Sequence, residues 1–187
     1  IGRVLTALRS AGLAENTLVV LTSDHGDMDS AHRMEHKSAL YEEAIHIPMI
    51  VSCPGRTAAG RVDRTHLVSN GLDLLPTICD YAGIQPPAGL QGSSLRPLAE
   101  GRSPGRWRDN LFVECEIGYL MTDGRFKYSV FDPDKGARRE FLADLKTDPG
   151  EMRNLAGDAA HTSVAKKLRA AMAACLRENR IEFPLPA

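Results

Sequence analysis

The chain of 187 residues lacks a charge excess, closely spaced cysteines, long apolar runs and an initiator methionine. Each absence excludes something. Lys and Arg number 23 against 24 Asp and Glu, a formal net charge of -1, so nothing electrostatic draws it to nucleic acid or to an anionic membrane. Neither is expected as a partner. No apolar run approaches the roughly 20 residues that a bilayer-spanning helix needs. Cys53, Cys79, Cys115 and Cys175 include no C-x-x-C pair, which argues against structural zinc, and a disulfide framework is not indicated at this size. Mostly buried free thiols are expected. Residue 1 is Ile, and "IGRVLTALRSAGL" already runs in helical period, with Val4, Leu5, Leu8 and Ala11 on one face. With no charged n-region or h-region, localisation is unknown, and the expectation is a chain that begins partway through a larger protein.

What is present reads as a globular chain, 43% hydrophobic and 25% charged. The first helix should end near Gly12. "TLVVLTS" (Thr17 to Ser23) and "IPMIVSC" (Ile47 to Cys53) are short apolar runs of the kind buried on both faces of a parallel sheet. Between them Ser38 could cap a short helix through Ala44. "HLVSN" is a third strand candidate, and Asp73 is the expected cap of "LLPTICDYAG", with Pro76 in its first turn. Gly83 to Arg108 is rich in Pro, Gly, Ser and Arg, with a short helix possible near Leu95 to Ala99. Beyond it, "NLFVECEI", "YLMTD", "FKYSVF" and "REFLADL" suggest an antiparallel meander, turned by Asp-Gly and by Asp-Pro-Asp-Lys-Gly. A last helix should span about His161 to Asn179, with Val164, Leu168, Met172, Cys175 and Leu176 as its apolar stripe.

Four of the six histidines fall between Val19 and Val51. Asp24 and His25 stand where the first buried strand should end, the place where α/β sheets gather ligands. A carboxylate beside a neutral imidazole offers oxygen and nitrogen to a divalent cation, and Gly26 keeps a side chain out of the bend. The plainer alternative is a turn, with Asp24 capping and His25 solvated. His32 and His36 could equally be surface residues of a loop, His46 an exposed turn residue, and Lys37 a solvated lysine.

The ordered series "TSDHGD", a His-bearing loop, Lys37, "YEEAIHIPMIV", "PGR", "VSNGLDLLPTICDYAGI", "LQGSSLRPLAEG", "GRFKYSVF" and "FLADLKTDPGEMRNLAGD" resembles the C-terminal half of the sulfatases of the alkaline phosphatase superfamily. The resemblance runs from about Asn16 to Asp158. It implies an α/β fold: the C-terminal part of an alkaline-phosphatase-like α/β sandwich (residues 1–106), then a small antiparallel sheet packed by a C-terminal helix (107–187). It implies that Asp24 and His25 bind a divalent cation, calcium first and manganese as the alternative, since many sulfatases carry Asn at the position of His25. The Asp-His form also occurs in choline-sulfatase-like members and in phosphonate or phosphodiester hydrolases. Lys37 matches the lysine that contacts the sulfate, and His32, with His36 beside it, lies on the loop that often carries a substrate-facing histidine.

The resemblance also shows what is missing. The family's nucleophile is a formylglycine made from Cys or Ser in a C-x-P-S-R-type motif, and no such motif occurs here. "CPGR" at Cys53 lacks the spacing and is read as structural. The paired N-terminal aspartates are absent as well. The implied function is therefore that of a C-terminal sulfatase fragment. It would hydrolyse a small-molecule or saccharide sulfate ester, or an N-sulfate, only together with an N-terminal portion, with a homo-oligomer left open. Its alternatives are a phosphonate monoester or phosphodiester hydrolase and a non-catalytic binding module. By itself the chain is expected to be inactive, with an apolar edge or face left exposed.

Overall fold

A computed structural model describes residues 1–132, 134 and 139–186. Along the chain run α1 (Gly2–Ser10), β1 (Val19–Thr22), α2 (Glu42–Ile45), β2 (Met49–Ser52), α3 (Asn70–Ala82), α4 (Arg96–Ala99), β3 (Leu111–Cys115), β4 (Gly118–Thr122), β5 (Phe126–Phe131), β6 (Glu140–Asp144) and α5 (Thr162–Glu178). They fall into two compact units, residues 1–24 with 47–107 and residues 25–46 with 108–187.

In the first unit α1 stops as expected before Gly12, whose φ of +68° suits a residue without Cβ. No residue of α1 is buried, and Val4 is 71% exposed. β1 and β2 pair with each other antiparallel, Val19 opposite Ser52 and Thr22 opposite Met49. The parallel-sheet expectation for these two runs is thus corrected. A continuous apolar run reports burial, and burial does not encode strand direction. Nor is any residue of β1 fully buried, and Ile50 of β2 is exposed.

"HLVSN" is not a strand. The Asp63 carboxylate accepts the N–H groups of Thr65 (2.9 Å) and His66 (3.0 Å) and the His66 ring (2.8 Å), which curls the chain before α3 begins. Burial would raise this carboxyl, but those hydrogen bonds prevail and hold it well below the usual carboxylate range. α3 starts at Asn70, with Ser69 at the cap position where Asp73 was expected. Asp73 is instead fully buried one turn in, accepting the N–H groups of Ser69 (2.8 Å) and Ser93 (2.9 Å). Pro76 consequently lies inside the helix and has no N–H to give the Leu72 carbonyl. Gly92 packs against that carbonyl so closely that a Cβ would stand 1.8 Å from its oxygen. Thr77 continues the lacing, its hydroxyl accepting the Leu95 N–H at 2.8 Å. The segment "LQGSSLRP" is therefore stitched to α3 residue by residue. Cys53 is buried at the turn after β2, and all four cysteines are free thiols.

In the second unit the meander forms as expected, antiparallel throughout in the order β3-β4-β5-β6. The Asp-Pro-Asp-Lys-Gly turn expected between β5 and β6 lies partly outside the described residues. α5 buries Leu168, Met172 and Leu176 against Met121, Tyr128, Val130 and Leu142, with Val164 and Cys175 at the margin. Each such side chain contributes roughly 1.5–3 kcal/mol by leaving water. Asp123 organises the β4–β5 turn by accepting the N–H groups of Arg125 (3.0 Å) and Phe126 (2.8 Å).

Arg125 then grips Asp144 at the end of β6 with Nε at 2.9 Å and Nη2 at 2.8 Å. This fork holds the Asp144 carboxyl down at about 2 against an ordinary 3.8. A depressed carboxylate gives stability that is full above its unfolded value and is lost as pH falls through its folded value. Arg125→Met should therefore lower the urea midpoint above pH 4. The gap between wild type and variant should close as pH drops from about 4 to about 2. A gap that stays constant over that window would detach the pair from acid stability.

Candidate metal and substrate site

The first unit ends at the mouth of β1. Beyond Thr22, the Asn70 side-chain amide donates to the carbonyl oxygens of Ser23 (2.8 Å) and Asp24 (3.2 Å), pinning the strand end to the start of α3. Ser23 donates its hydroxyl to the exposed Asp24 carboxylate at 3.3 Å. Asn70 was missed as a site-building residue, and its signal was the polar "SN" between the apolar "LV" and the helix.

The second unit begins at His25. Its Nδ1 lies 2.6 Å from the Gly26 carbonyl, which can only accept, so Nδ1 carries the proton and Nε2 the lone pair of the neutral ring. That is the tautomer a metal-ligating imidazole presents when its other nitrogen is tied to a carbonyl. Gly26 keeps a side chain out of a crowded bend, as expected. It has no positive φ. Its N–H donates to the Ala44 carbonyl at 2.8 Å, and a Cβ there would meet the Glu43 oxygen at 1.9 Å. Gly26 is thus seated against the backbone of α2.

Residues 27–41 form a folded loop. Met28, Ala39 and Ala44 are buried together, with Ala31, Met34, Tyr41 and Ile45 packed around them, and the Met28 N–H donates to the His36 carbonyl at 2.8 Å. Ser38 is not the cap of the helix that follows; Tyr41 holds that position and α2 starts at Glu42. Asp29, Ser30, His32, Arg33 and His36 all have left-handed backbone, φ +43° to +71°. Such conformations cost non-glycine residues about 1 kcal/mol or more each, and they persist where surrounding structure enforces them. The loop carries His32, half-buried with its ring stacked on Tyr41 (centroids 3.8 Å apart, planes 7° apart), and His36 and Lys37, both exposed. His46 is also exposed, beside Glu42 at 3.0 Å.

The structure therefore puts His25, His32, His36 and Lys37 on one folded segment, while Asp24 closes the other unit. Among the described residues no three His, Cys, Asp or Glu side chains converge as a metal cluster.

Residues 30–178 match the family described as N-sulphoglucosamine sulphohydrolase, C-terminal. The chain belongs to the sulfatase family. It is 37% identical over 176 residues to a Delta 4,5-hexuronate-2-O-sulfatase of Bacteroides thetaiotaomicron, covering 89% of this chain and 36% of that protein. The chain thus spans about a third of the length of such curated relatives. Among solved structures, one in complex with D-glucosamine-2-N,6-O-disulfate superposes with a TM-score of 0.85 at 29% identity, over 96% of this chain and 38% of that one. The phosphonate monoester hydrolase of Agrobacterium radiobacter superposes with a TM-score of 0.81 at 32% identity, over 96% and 38%. The sulfatase match covers both the histidine-bearing loop from Ser30 onward and the whole meander with α5.

Proposed function

We propose that the intact protein hydrolyses a saccharide sulfate, as an O-ester or N-sulfate, to the alcohol or amine and inorganic sulfate. The observation that carries this reading is the loop of residues 27–41. Five non-glycine residues are held in left-handed backbone around buried Met28, with His32, His36 and Lys37 on the same segment. Strain kept at a surface loop bearing two imidazoles and an ammonium is what a substrate-handling loop would show. The family match supports the reaction class, and the names of the relatives support a saccharide substrate.

Each side chain then has a role. Lys37 brings a compact positive charge to the sulfuryl oxygens and to the leaving oxygen as the S–O bond breaks. His32 hydrogen-bonds the same group, and His36 lines the substrate approach. Asp24 and the Nε2 of His25 would hold a divalent cation, calcium with manganese as the alternative, which when bound polarises the sulfuryl oxygens. Two ligands are too few, so further ligands are supplied from outside this chain. The nucleophile comes from there too, a formylglycine for which this sequence holds no C-x-P-S-R-type motif. Those portions are the chain's expected partner.

In the intact protein, Asp24→Ala and His25→Ala should each lose most bound metal and most turnover while the circular dichroism spectrum and unfolding midpoint stay put. Full metal occupancy in either variant, by elemental analysis, would remove that residue from the ligand set. The Agrobacterium neighbour and the Asp-His pair keep a phosphonate monoester reading as the second one. Parallel assays of sulfate release from hexuronate and glucosamine sulfates and of phenol release from a phenyl phosphonate separate the two. Turnover of the phosphonate alone would replace the first reading with the second.

A further inference from the structure

We propose that Tyr41 is a positioning residue for His32, and that the small antiparallel sheet of the second unit holds Tyr41 in place to do so. The inference rests on reading His32 as substrate-facing. His32 lies in the short 3-10 segment Ala31–Arg33 but departs from helical geometry there, with a left-handed backbone of φ +52°. What meets the ring is the phenol of Tyr41, face to face at 3.8 Å and 7°. The opposite constraint on Tyr41 comes from Phe141 of β6, edge-on at 6.0 Å and 81°. Phe141 is itself buried.

The next residue anchors the backbone. The Glu42 N–H donates to the Glu151 carboxylate at 2.7 Å, and the Glu42 carboxylate lies 3.0 Å from the ammonium of Lys127, on β5. Lys127 also meets Glu151 at 2.8 Å, and both of these side chains are almost completely buried. Tyr41 is thus clamped twice, through its ring by Phe141 and through its neighbour by an ion cluster rooted in the sheet. Stacking fixes the plane of the His32 ring and leaves only the two orientations related by a half-turn about χ2, so the clamp on Tyr41 becomes a limit on where the His32 nitrogens point.

Tyr41 is only half-buried, so changing it should not unfold the protein. In the intact protein, Tyr41→Leu removes the ring face and Tyr41→Phe keeps it. Ring protons of His32, assigned by NMR, should be shifted upfield by the stacked phenol in wild type and in Tyr41→Phe, and should return towards free-histidine values in Tyr41→Leu. With a saccharide sulfate, kcat should fall about tenfold in Tyr41→Leu with KM little changed, because a misplaced group costs most in the transition state. Tyr41→Phe should recover most of that loss. Unchanged His32 resonances in Tyr41→Leu would overturn the proposal, as would a Tyr41→Phe variant as impaired as Tyr41→Leu, which would make the hydroxyl rather than the ring the acting group. The NMR arm needs no turnover. If no sulfate is hydrolysed but the resonances move as stated, the reading of function fails while the positioning stands.

Discussion

Lys37→Ala in the intact enzyme should lower turnover about a hundredfold, on the order of 3 kcal/mol of transition-state stabilisation. Lys37 is exposed at the end of a strained loop, and its removal leaves no cavity and breaks no buried contact. If it were only a solvated lysine, stability would move by a few tenths of a kcal/mol and kinetics not at all. The two outcomes are therefore well separated. The charge matters most while negative charge gathers on the departing oxygen. In a series of aryl sulfates the variant should suffer most with the leaving groups of highest pKa. Lys37→Arg should rescue poorly, since a planar fork does not reproduce a compact ammonium. A defect equal across the series would place the lysine in binding rather than in bond cleavage.

Lys127→Met should destabilise the second unit by about 3–5 kcal/mol, because it leaves two carboxylates facing each other in a buried place. Lys127 is 1% exposed, 2.8 Å from Glu151 and 3.0 Å from Glu42. Burial raises the Glu151 carboxyl above the ordinary 4.5, and Lys127 pulls it back. Without the lysine, Glu151 should rise further. A carboxyl raised in the folded state stabilises fully below its unfolded value and loses that contribution as pH climbs through its folded value. The defect of Lys127→Met should thus shrink as pH is lowered from 7.5 towards 4.5 in urea unfolding. The neutral set Lys127→Met with Glu42→Gln and Glu151→Gln should recover most of the loss, since replacing a whole buried cluster costs far less than orphaning part of it. A pH-independent defect with no recovery in the triple variant would mean that packing, not charge, is what Lys127 supplies.

The elements with a clean period were legible in the sequence. The meander from Leu111 to Asp144 and the stripe of α5 follow alternation and helical spacing, and both signals are local. The direction of β1 against β2 was not legible, because two apolar runs look the same whichever way they run. The start of α3 was misplaced because Asp73 has the chemistry of a cap but spends it on the N–H groups of Ser69 and Ser93, the latter 20 residues on. Asp24, His25, His32, His36 and Lys37 are site candidates on their pattern alone. The residues that shape their surroundings are not: Asn70 touches the strand end from 46 and 47 residues away. Lys127 sits in "FKYSVF" where alternation gives no hint that a cation is buried, and its partners are distant in sequence.

That distance has a consequence for the order in which the protein is made. Glu42 and Glu151 meet across 109 residues, so the His-bearing loop leaves the ribosome long before the glutamate and the sheet that clamp it. Contacts of such separation form late, after local ones have shortened the chain between them. The loop is synthesised early and should be finished last. In pulse-labelled hydrogen exchange, amides of β4 to β6 should gain protection before those of Gly26 and Met28, whose acceptors lie in α2 and in that loop. A ribosome stalled before Glu151 would hold a chain with every histidine of the loop present and none of them yet in place.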